Sequence, residues 1–452
     1  MKIVVVGCGK VGTEIVNRLC SEGHNLIVVD TSPERVQRIT DRLDVMGLVS
    51  NAFSADLFGE IGMEDTDLFI AMTNSDEINL LSCLYAGQNS TCKTIARVRN
   101  PQYNREKAYI KQRMGISELI NPAEMAAEEI SRLIRFPAAD QLGDFADGRI
   151  YLIKYCLPKT SELCGKAVRE ASLLREHEIL VCAAERSGTV CVPDGNYIME
   201  AGDLLTVLAV PSSAESFFRA QKLPVKPGHN TMIVGGGITA YYLAGELTRH
   251  GISARVLEKD KKRALELAEA GVASEVICAD GSDRVQLLEE GLENASAFVS
   301  LTGLDEENIL MSLFAKKHGQ AKVVTKLSRL EYDDILEPLD LGSIVCPKAM
   351  TADYVLRYVR AMRRAAGSDI KTLFRVLDDR VEALEFGIRE GSEGTGVPLS
   401  ELKLKPGTLI CCVTRGDKIR IPRGSDTLEP GDDVILVTFE KGVDSFAELL
   451  VR

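Results

Sequence analysis

The chain has 452 residues, enough for about three compact units at roughly 150 residues each. Its 54 basic and 66 acidic side chains leave a formal net charge of −12, which argues against a general polyanion-binding surface and so against nucleic acid as a partner. Apolar residues make up 45% of the chain, yet no run approaches the roughly 20 needed to span a bilayer, and Met1 leads straight into K-I-V-V-V-G rather than a signal-peptide core, so a cytoplasmic location is expected.

The first predicted element is that valine-rich strand, followed by G-C-G-K-V-G and an amphipathic pattern, T-E-I-V-N-R-L-C. A glycine turn between strand and helix aims peptide N–H groups, with their partial positive charge, at whatever lies beyond the helix end, and phosphate suits that place. Gly7 permits the tight turn, Gly9 a close approach of backbone to phosphate, and Gly12 close packing of helix on strand. The next strand, N-L-I-V-V-D, ends on Asp30, placed to bond ribose hydroxyls and to repel a 2′-phosphate, so NAD is favoured over NADP. The runs D-L-F-I-A-M and T-I-A-R-V are further strands, and their alternation with helical patterns predicts a doubly wound parallel sheet. In that topology the loop after D-L-F-I-A-M shares a crevice with the glycines, which brings in Thr73 and Asn74 as polar contacts. Asp76 and Glu77 begin the following helix, at its positive end. Arg97 lies where a guanidinium reaches phosphate, a surface salt bridge being the plainer reading.

From about Arg149 the pattern changes to short strands separated by Gly, Pro and Asp turns, as in E-I-L-V-C-A-A-E-R-S-G-T-V-C-V-P and A-G-D-L-L-T-V-L-A-V, which predicts a small β-rich domain. L-P-V-K-P-G-H-N, residues 223–230, reads as a linker. The series then repeats. Gly7 is echoed by Gly235 at a displacement of 228, Asp30 by Glu258 at 228, Asn79 by Asn308 at 229 and Pro193 by Pro422 at 229, so two copies of one two-domain module fill the chain. The second loop comprises Gly235, Gly236, Gly237, Ile238, Thr239 and Ala240, with alanine at the third glycine position. Lys259, Lys261, Lys262 and Arg263 crowd its acidic residue. Thr302 and Lys326 stand where Thr73 and Arg97 do.

None of the twelve cysteines forms C-x-x-C, and most are expected to be buried reduced thiols. The five histidines form no catalytic grouping, and His24 and His250 read as solvated loop residues. An NAD-dependent oxidoreductase and a nucleotide-stabilised scaffold remain the alternatives to a binding switch, because this fold hosts many functions. The carboxylate and glycine loop suit NAD or NADH and ATP or ADP alike.

The order of these elements resembles the RCK, or KTN, family of cytoplasmic subunits in its duplicated, potassium-uptake form. The resemblance rests on G-C-G-K-V-G with Asp30, M-T-N-S-D-E-I-N-L, A-R-V-R-N-P, M-G-I-S-E-L-I-N-P and R-S-G-T-V-C-V-P-D-G with A-G-D. It implies two Rossmann-like domains alternating with two small β-rich α+β domains, at 1–136, 140–222, 229–365 and 369–452. It also implies a non-enzymatic regulatory role, a homo-oligomeric ring, and a membrane potassium-transporting partner of the TrkH/TrkG type met at the inner face of the cell membrane. The nucleotide positions implied are Gly7, Cys8, Gly9, Lys10, Val11, Asp30, Asn51, Thr73, Asn74 and Arg97, with Asp280 as the counterpart of Asn51.

Overall fold

The computed structural model describes residues 1–146, 148–319, 321–328, 339, 341–365, 370–377, 380–416, 418–443 and 445–451. Asp369, where the second small domain is expected to begin, lies outside them. Four sheets follow one another along the chain. The first contains β1 (Lys2–Val6), β2 (Asn25–Asp30), β3 (Met46–Val49), β4 (Leu68–Ala71), β5 (Lys93–Arg97) and β6 (Glu118–Ile120). The strands pair in parallel in the order β3-β2-β1-β4-β5-β6, so the chain reverses direction across the sheet between β1 and β4. Ile3, Val4, Val5 and Val6 are all buried, as a strand covered by helices on both faces requires. Each such side chain contributes about 1.5–3 kcal/mol.

The second sheet is antiparallel: β7 (Gln141–Phe145), β8 (Ile150–Cys156), β9 (Leu180–Arg186), β10 (Thr189–Cys191) and β11 (Leu204–Ala209), in the order β10-β9-β11-β8-β7. The third repeats the first with β12 (Asn230–Val234), β13 (Ser253–Glu258), β14 (Glu275–Cys278), β15 (Ala297–Ser300), β16 (Lys322–Lys326) and β17 (Ser343–Val345), ordered β14-β13-β12-β15-β16-β17. The fourth repeats the second with β18 (Ile370–Val376), β19 (Val381–Gly387), β20 (Leu409–Arg415), β21 (Lys418–Arg420) and β22 (Asp433–Thr438), ordered β18-β19-β22-β20-β21.

The chain folds into two compact units, residues 1–131 with 229–356, and residues 132–228 with 357–452. In the first unit the parallel-sheet copies meet through polar contacts: Arg18 pairs with Asp353 at 3.0 Å, Lys348 with Glu14 at 3.6 Å, and Tyr242 donates to the Arg99 carbonyl at 3.1 Å. In the second, both small sheets share one apolar core that includes Leu152, Cys182, Ala383 and Cys411. Arg380 reaches the Gly188 carbonyl at 2.6 Å and Arg149 the Gly416 carbonyl at 3.3 Å, so an arginine of each copy reaches a glycine carbonyl in the other copy's hairpin turn.

Two sequence expectations are corrected. Cys156 and Cys278 are exposed, because each is the last residue of its strand, although Cys8, Cys83, Cys92, Cys182, Cys346, Cys411 and Cys412 are buried and all twelve are free thiols. His24 is buried rather than solvated, with its Nε2 3.9 Å from Glu22. Among the described residues no helix is long and apolar enough to cross a membrane, and no cluster of His, Cys, Asp and Glu is arranged to hold a metal ion.

Candidate functional site

The crevice outside the carboxyl ends of β1 and β4 is where an open doubly wound sheet binds its ligand. Gly7 closes β1 at φ +99°, a region side chains rarely adopt. A Cβ there would lie 2.7–2.8 Å from the backbone of Met72 and Thr73, so the turn presses directly on the loop after β4. A Cβ on Gly12 would lie 1.9 Å from the Gly7 carbonyl oxygen, whereas one on Gly9 would meet nothing within 4 Å. Gly9 is the N-cap of the helix Lys10–Cys20 and makes no side-chain cap. The helix therefore begins at a bare, open amide end. Lys10 is its first residue and is exposed, and Val11 is half-buried.

Asp30 organises this turn. Its buried carboxylate accepts the Cys8 N–H at 2.7 Å and the Ser32 N–H at 2.9 Å, with Arg35 3.6 Å away. Burial, and then the neighbouring Asp30 charge, push the Cys8 thiol up to about 12, so it stays protonated near neutral pH. Ser50 donates its N–H to the Asp30 carbonyl at 3.1 Å, which sets Asn51 just beyond the end of β2, where its Oδ1 accepts the Phe53 N–H at 3.1 Å.

Thr73 is held by a residue that the sequence marks only as a landmark of the repeat. Asn79 is fully buried on the helix Asp76–Asn89. It accepts from the Thr73 N–H at 2.8 Å and the Thr73 hydroxyl at 2.7 Å, and donates to the Arg97 carbonyl at 2.9 Å. Arg97 is no surface salt bridge. Its buried guanidinium donates to the Thr73 carbonyl and to Asn74 Oδ1, bracing the loop that faces the glycines. Burial, and then Arg99 nearby, lower its pKa to about 10, with Asp76 opposing, so it keeps its charge near neutral pH. Asp76 does more than favour a helix end, since it accepts the backbone N–H groups of Arg99 and Asn100, each at 2.8 Å, and so ties the segment after β5 to the same loop.

The second crevice is built the same way with two differences. Gly235 has φ +99°, Gly237 is an uncapped N-cap for the helix Ile238–Arg249, and Asn308 holds Thr302 and the Lys326 carbonyl as Asn79 holds Thr73 and that of Arg97. Glu258 accepts the Gly236 N–H at 2.6 Å, and a Cβ on Gly236 would lie 2.9 Å from that carboxylate. Thr239 and Ala240 are buried. Arg263 is the first difference: its Nε donates to the Gly236 carbonyl at 2.7 Å, laying an arginine along the loop. Lys259, Lys261 and Lys262 stay exposed. Lys326 is the second, since its ammonium reaches the Leu301 carbonyl at 3.4 Å and burial lowers its pKa. Asp280 follows Ala279, whose N–H is bound to the Glu258 carbonyl at 3.1 Å, and hydrogen bonds from Ser282 hold its carboxyl below the ordinary value.

The TrkA-N domain family matches residues 3–122 and 231–347, and the TrkA-C domain family matches residues 152–222 and 384–451. The chain belongs to the TrkA family. Among its relatives, the Trk system potassium uptake protein TrkA of Vibrio alginolyticus is 30% identical over 100% of this chain and 99% of its own. TrkA of Haemophilus influenzae is 30% identical over 98% of this chain and 96% of its own. In fold the chain is similar to the GsuK channel bound to NAD, with a TM-score of 0.63 at 17% identity over 97% of this chain and 76% of that one. It is similar as well to GsuK bound to ADP, with a TM-score of 0.52 at 13% identity over 80% and 69%. In this TrkA-family chain the duplicated Rossmann-like and small β-rich domains thus appear in the order the sequence leads one to expect.

Replacement of Asp30 by Ala removes a charged acceptor from the buried Cys8 N–H and the partly buried Ser32 N–H, each hydrogen bond contributing about 1.5–3 kcal/mol. Affinity of the first site for NADH or ATP, measured by titration calorimetry, is expected to fall at least about tenfold, and unchanged affinity for both would contradict the assignment.

Proposed function

We propose that this chain is the cytoplasmic regulatory subunit of a potassium uptake system, sensing an adenine nucleotide and passing that state to a membrane potassium-transporting partner. One observation carries the nucleotide assignment: the uncapped helix end at Gly9, opening on space, with the preceding turn fixed by Asp30. Anions are stabilised at such an end by free amides and the helix dipole. In this reading Gly7, Cys8, Gly9, Lys10, Val11 and Gly12 offer backbone to phosphates, Asp30 and Asn51 face the ribose, and Thr73, Asn74 and Arg97 close the far wall. The relatives whose names carry NAD and ADP support an adenine nucleotide at this fold. Gly235 to Ala240, Glu258, Asp280, Thr302 and Lys326 form the second site.

The four domains run 1–136, 140–222, 229–365 and 369–452, and the protein works as a homo-oligomer at the inner face of the membrane. A regulatory role fits better than a dehydrogenase because the side chains lining the first crevice are committed to holding its loops. A ligand shifts such a switch only by its difference in affinity between two states, about 1–3 kcal/mol in typical cases. The test is mass spectrometry of ligand retained after purification, followed by calorimetry with NAD, NADH, ADP and ATP and potassium flux through the reconstituted partner. Differential flux supports the switch. Identical flux with binding established leaves a nucleotide-stabilised scaffold, and substrate turnover would favour the enzyme.

A further inference from the structure

The helix Ile238–Arg249, which opens the second crevice, also rests on the wall of the first. Gly237 is its bare N-cap, and about one turn further on Tyr241 and Tyr242 leave it toward the segment that follows β5. Tyr242 is half-buried and donates its hydroxyl to the Arg99 carbonyl at 3.1 Å, while the Tyr241 hydroxyl accepts from the exposed Arg105 guanidinium at 3.0 Å. On its other sides Arg99 is bound to the loop after β4. Its N–H and that of Asn100 both end on Asp76 at 2.8 Å, and its guanidinium donates to the Asn74 carbonyl and stands 3.6 Å from the Asp76 carboxylate. Tyr103, further along the same segment, donates to Glu77 at 3.1 Å. A continuous run of contacts therefore joins the phosphate end of the second crevice to the far wall of the first.

The two sides differ here. The positions of Tyr242 and Arg99 are taken in the other copy by Glu14 and Ser328. Ser328 keeps the backbone half of the arrangement, its N–H bound to Asp305 at 2.9 Å, but it carries no guanidinium with which to hold the loop. Glu14 pairs with Lys348 at 3.6 Å, on the helix Pro347–Ala365. Among the described residues, the tyrosine–arginine–aspartate relay is built at the wall of the first crevice alone.

We infer that Tyr242 couples the two crevices, so that a nucleotide phosphate on the Gly237 end of its helix changes the affinity of the first site through Arg99 and the loop at Thr73 to Asp76. The inference rests on the adenine-nucleotide reading of both sites and adds that they are not independent. An anion at that end draws on the free amides and the dipole of the helix. A helix passes the resulting shift to a side chain one turn away, and the wall of the first crevice is fastened to that side chain. Coupling carried by contiguous contacts is reciprocal, so filling the first site changes the second by the same factor.

Titration calorimetry of the full chain with NADH, and separately with ATP, tests this in wild type, Glu258→Ala, Tyr242→Phe and the two changes together. Glu258→Ala weakens the second site, and loss of the second binding event verifies that it is vacated while the first fills. First-site affinity is expected to differ about fivefold or more between wild type and Glu258→Ala, and the difference to vanish in the presence of Tyr242→Phe. Phenylalanine keeps the ring and removes only the hydroxyl, so both sites of the Tyr242→Phe protein should still bind. Tyr241→Phe, which loses only its contact with an exposed arginine, should keep the coupling. Equal first-site affinity in wild type and Glu258→Ala, with the second event present in one and lost in the other, would overturn the inference and leave the nucleotide reading standing. A coupling that survives Tyr242→Phe would overturn the role of Tyr242. A wild type with no second binding event would instead remove the second site from the proposed function, and the inference with it.

Discussion

Gly9→Asp is expected to lower nucleotide affinity at the first site about a hundredfold or more, about 2.7 kcal/mol, without lowering thermal stability. Both halves follow from one geometry. The backbone at Gly9 is extended, with φ −75° and ψ −172°, so any residue fits, and a Cβ there would meet nothing within 4 Å. Aspartate is among the preferred N-cap residues, so it would bond the free amides of the first turn and hold the helix at least as well as glycine. Those amides are the ones a phosphate needs, and the new carboxylate would occupy and repel that place. Titration calorimetry beside thermal unfolding separates the two effects. A variant that unfolds early, or that binds as tightly as wild type, contradicts the assignment. Gly237→Asp offers the same test for the second crevice, since Gly237 is also extended and open. If the first site is the sensor, potassium flux loses its response to nucleotide in the Gly9 variant alone.

Asn79→Leu is expected to destabilise the fold by about 3–5 kcal/mol, a large effect for one nearly isosteric change. The amide is fully buried and satisfies the Thr73 N–H, the Thr73 hydroxyl and the Arg97 carbonyl at once. Leucine would leave at least two buried backbone groups without a partner, each costing about 1–3 kcal/mol. The midpoint of thermal unfolding should fall by several degrees, while Asn51→Ala, at an exposed position, should change it little. Nucleotide affinity should fall with the first variant as well, because Thr73 borders Gly7. An Asn79→Leu protein that melts with wild type would show that the loop after β4 is held by Arg97 alone.

Much of this was legible in the residues. Strand periodicity, the glycine spacing and an acidic residue ending the second strand are local patterns, and the duplication at 228–229 residues let each copy check the other. Local pattern misses what is made by contacts across the fold. Asn79 looks like an ordinary helix residue until β5 is set beside it, and its recurrence as Asn308 was the available signal. Arg97 read either as a phosphate contact or as a surface salt bridge, but lying at the end of a central strand it is buried and turned onto the neighbouring loop. Arg263 sits in a basic run whose lysines stay in water, and only its place on the first turn of a helix brings it over Gly236.

The sequence by itself determined the order and class of the four domains, because side-chain period and turn chemistry act over a few residues and need no partner. It determined the glycine turns too, since only glycine accepts φ +99° against backbone at 2.7 Å. Tertiary structure decided which polar side chains hold those turns and which apolar ones stay uncovered. A hydrogen bond between Asn79 and the end of β5, or the exposure of Leu81 and Leu310 on helices whose other faces are buried, depends on which elements become neighbours, and burial is a property of neighbours rather than of residues.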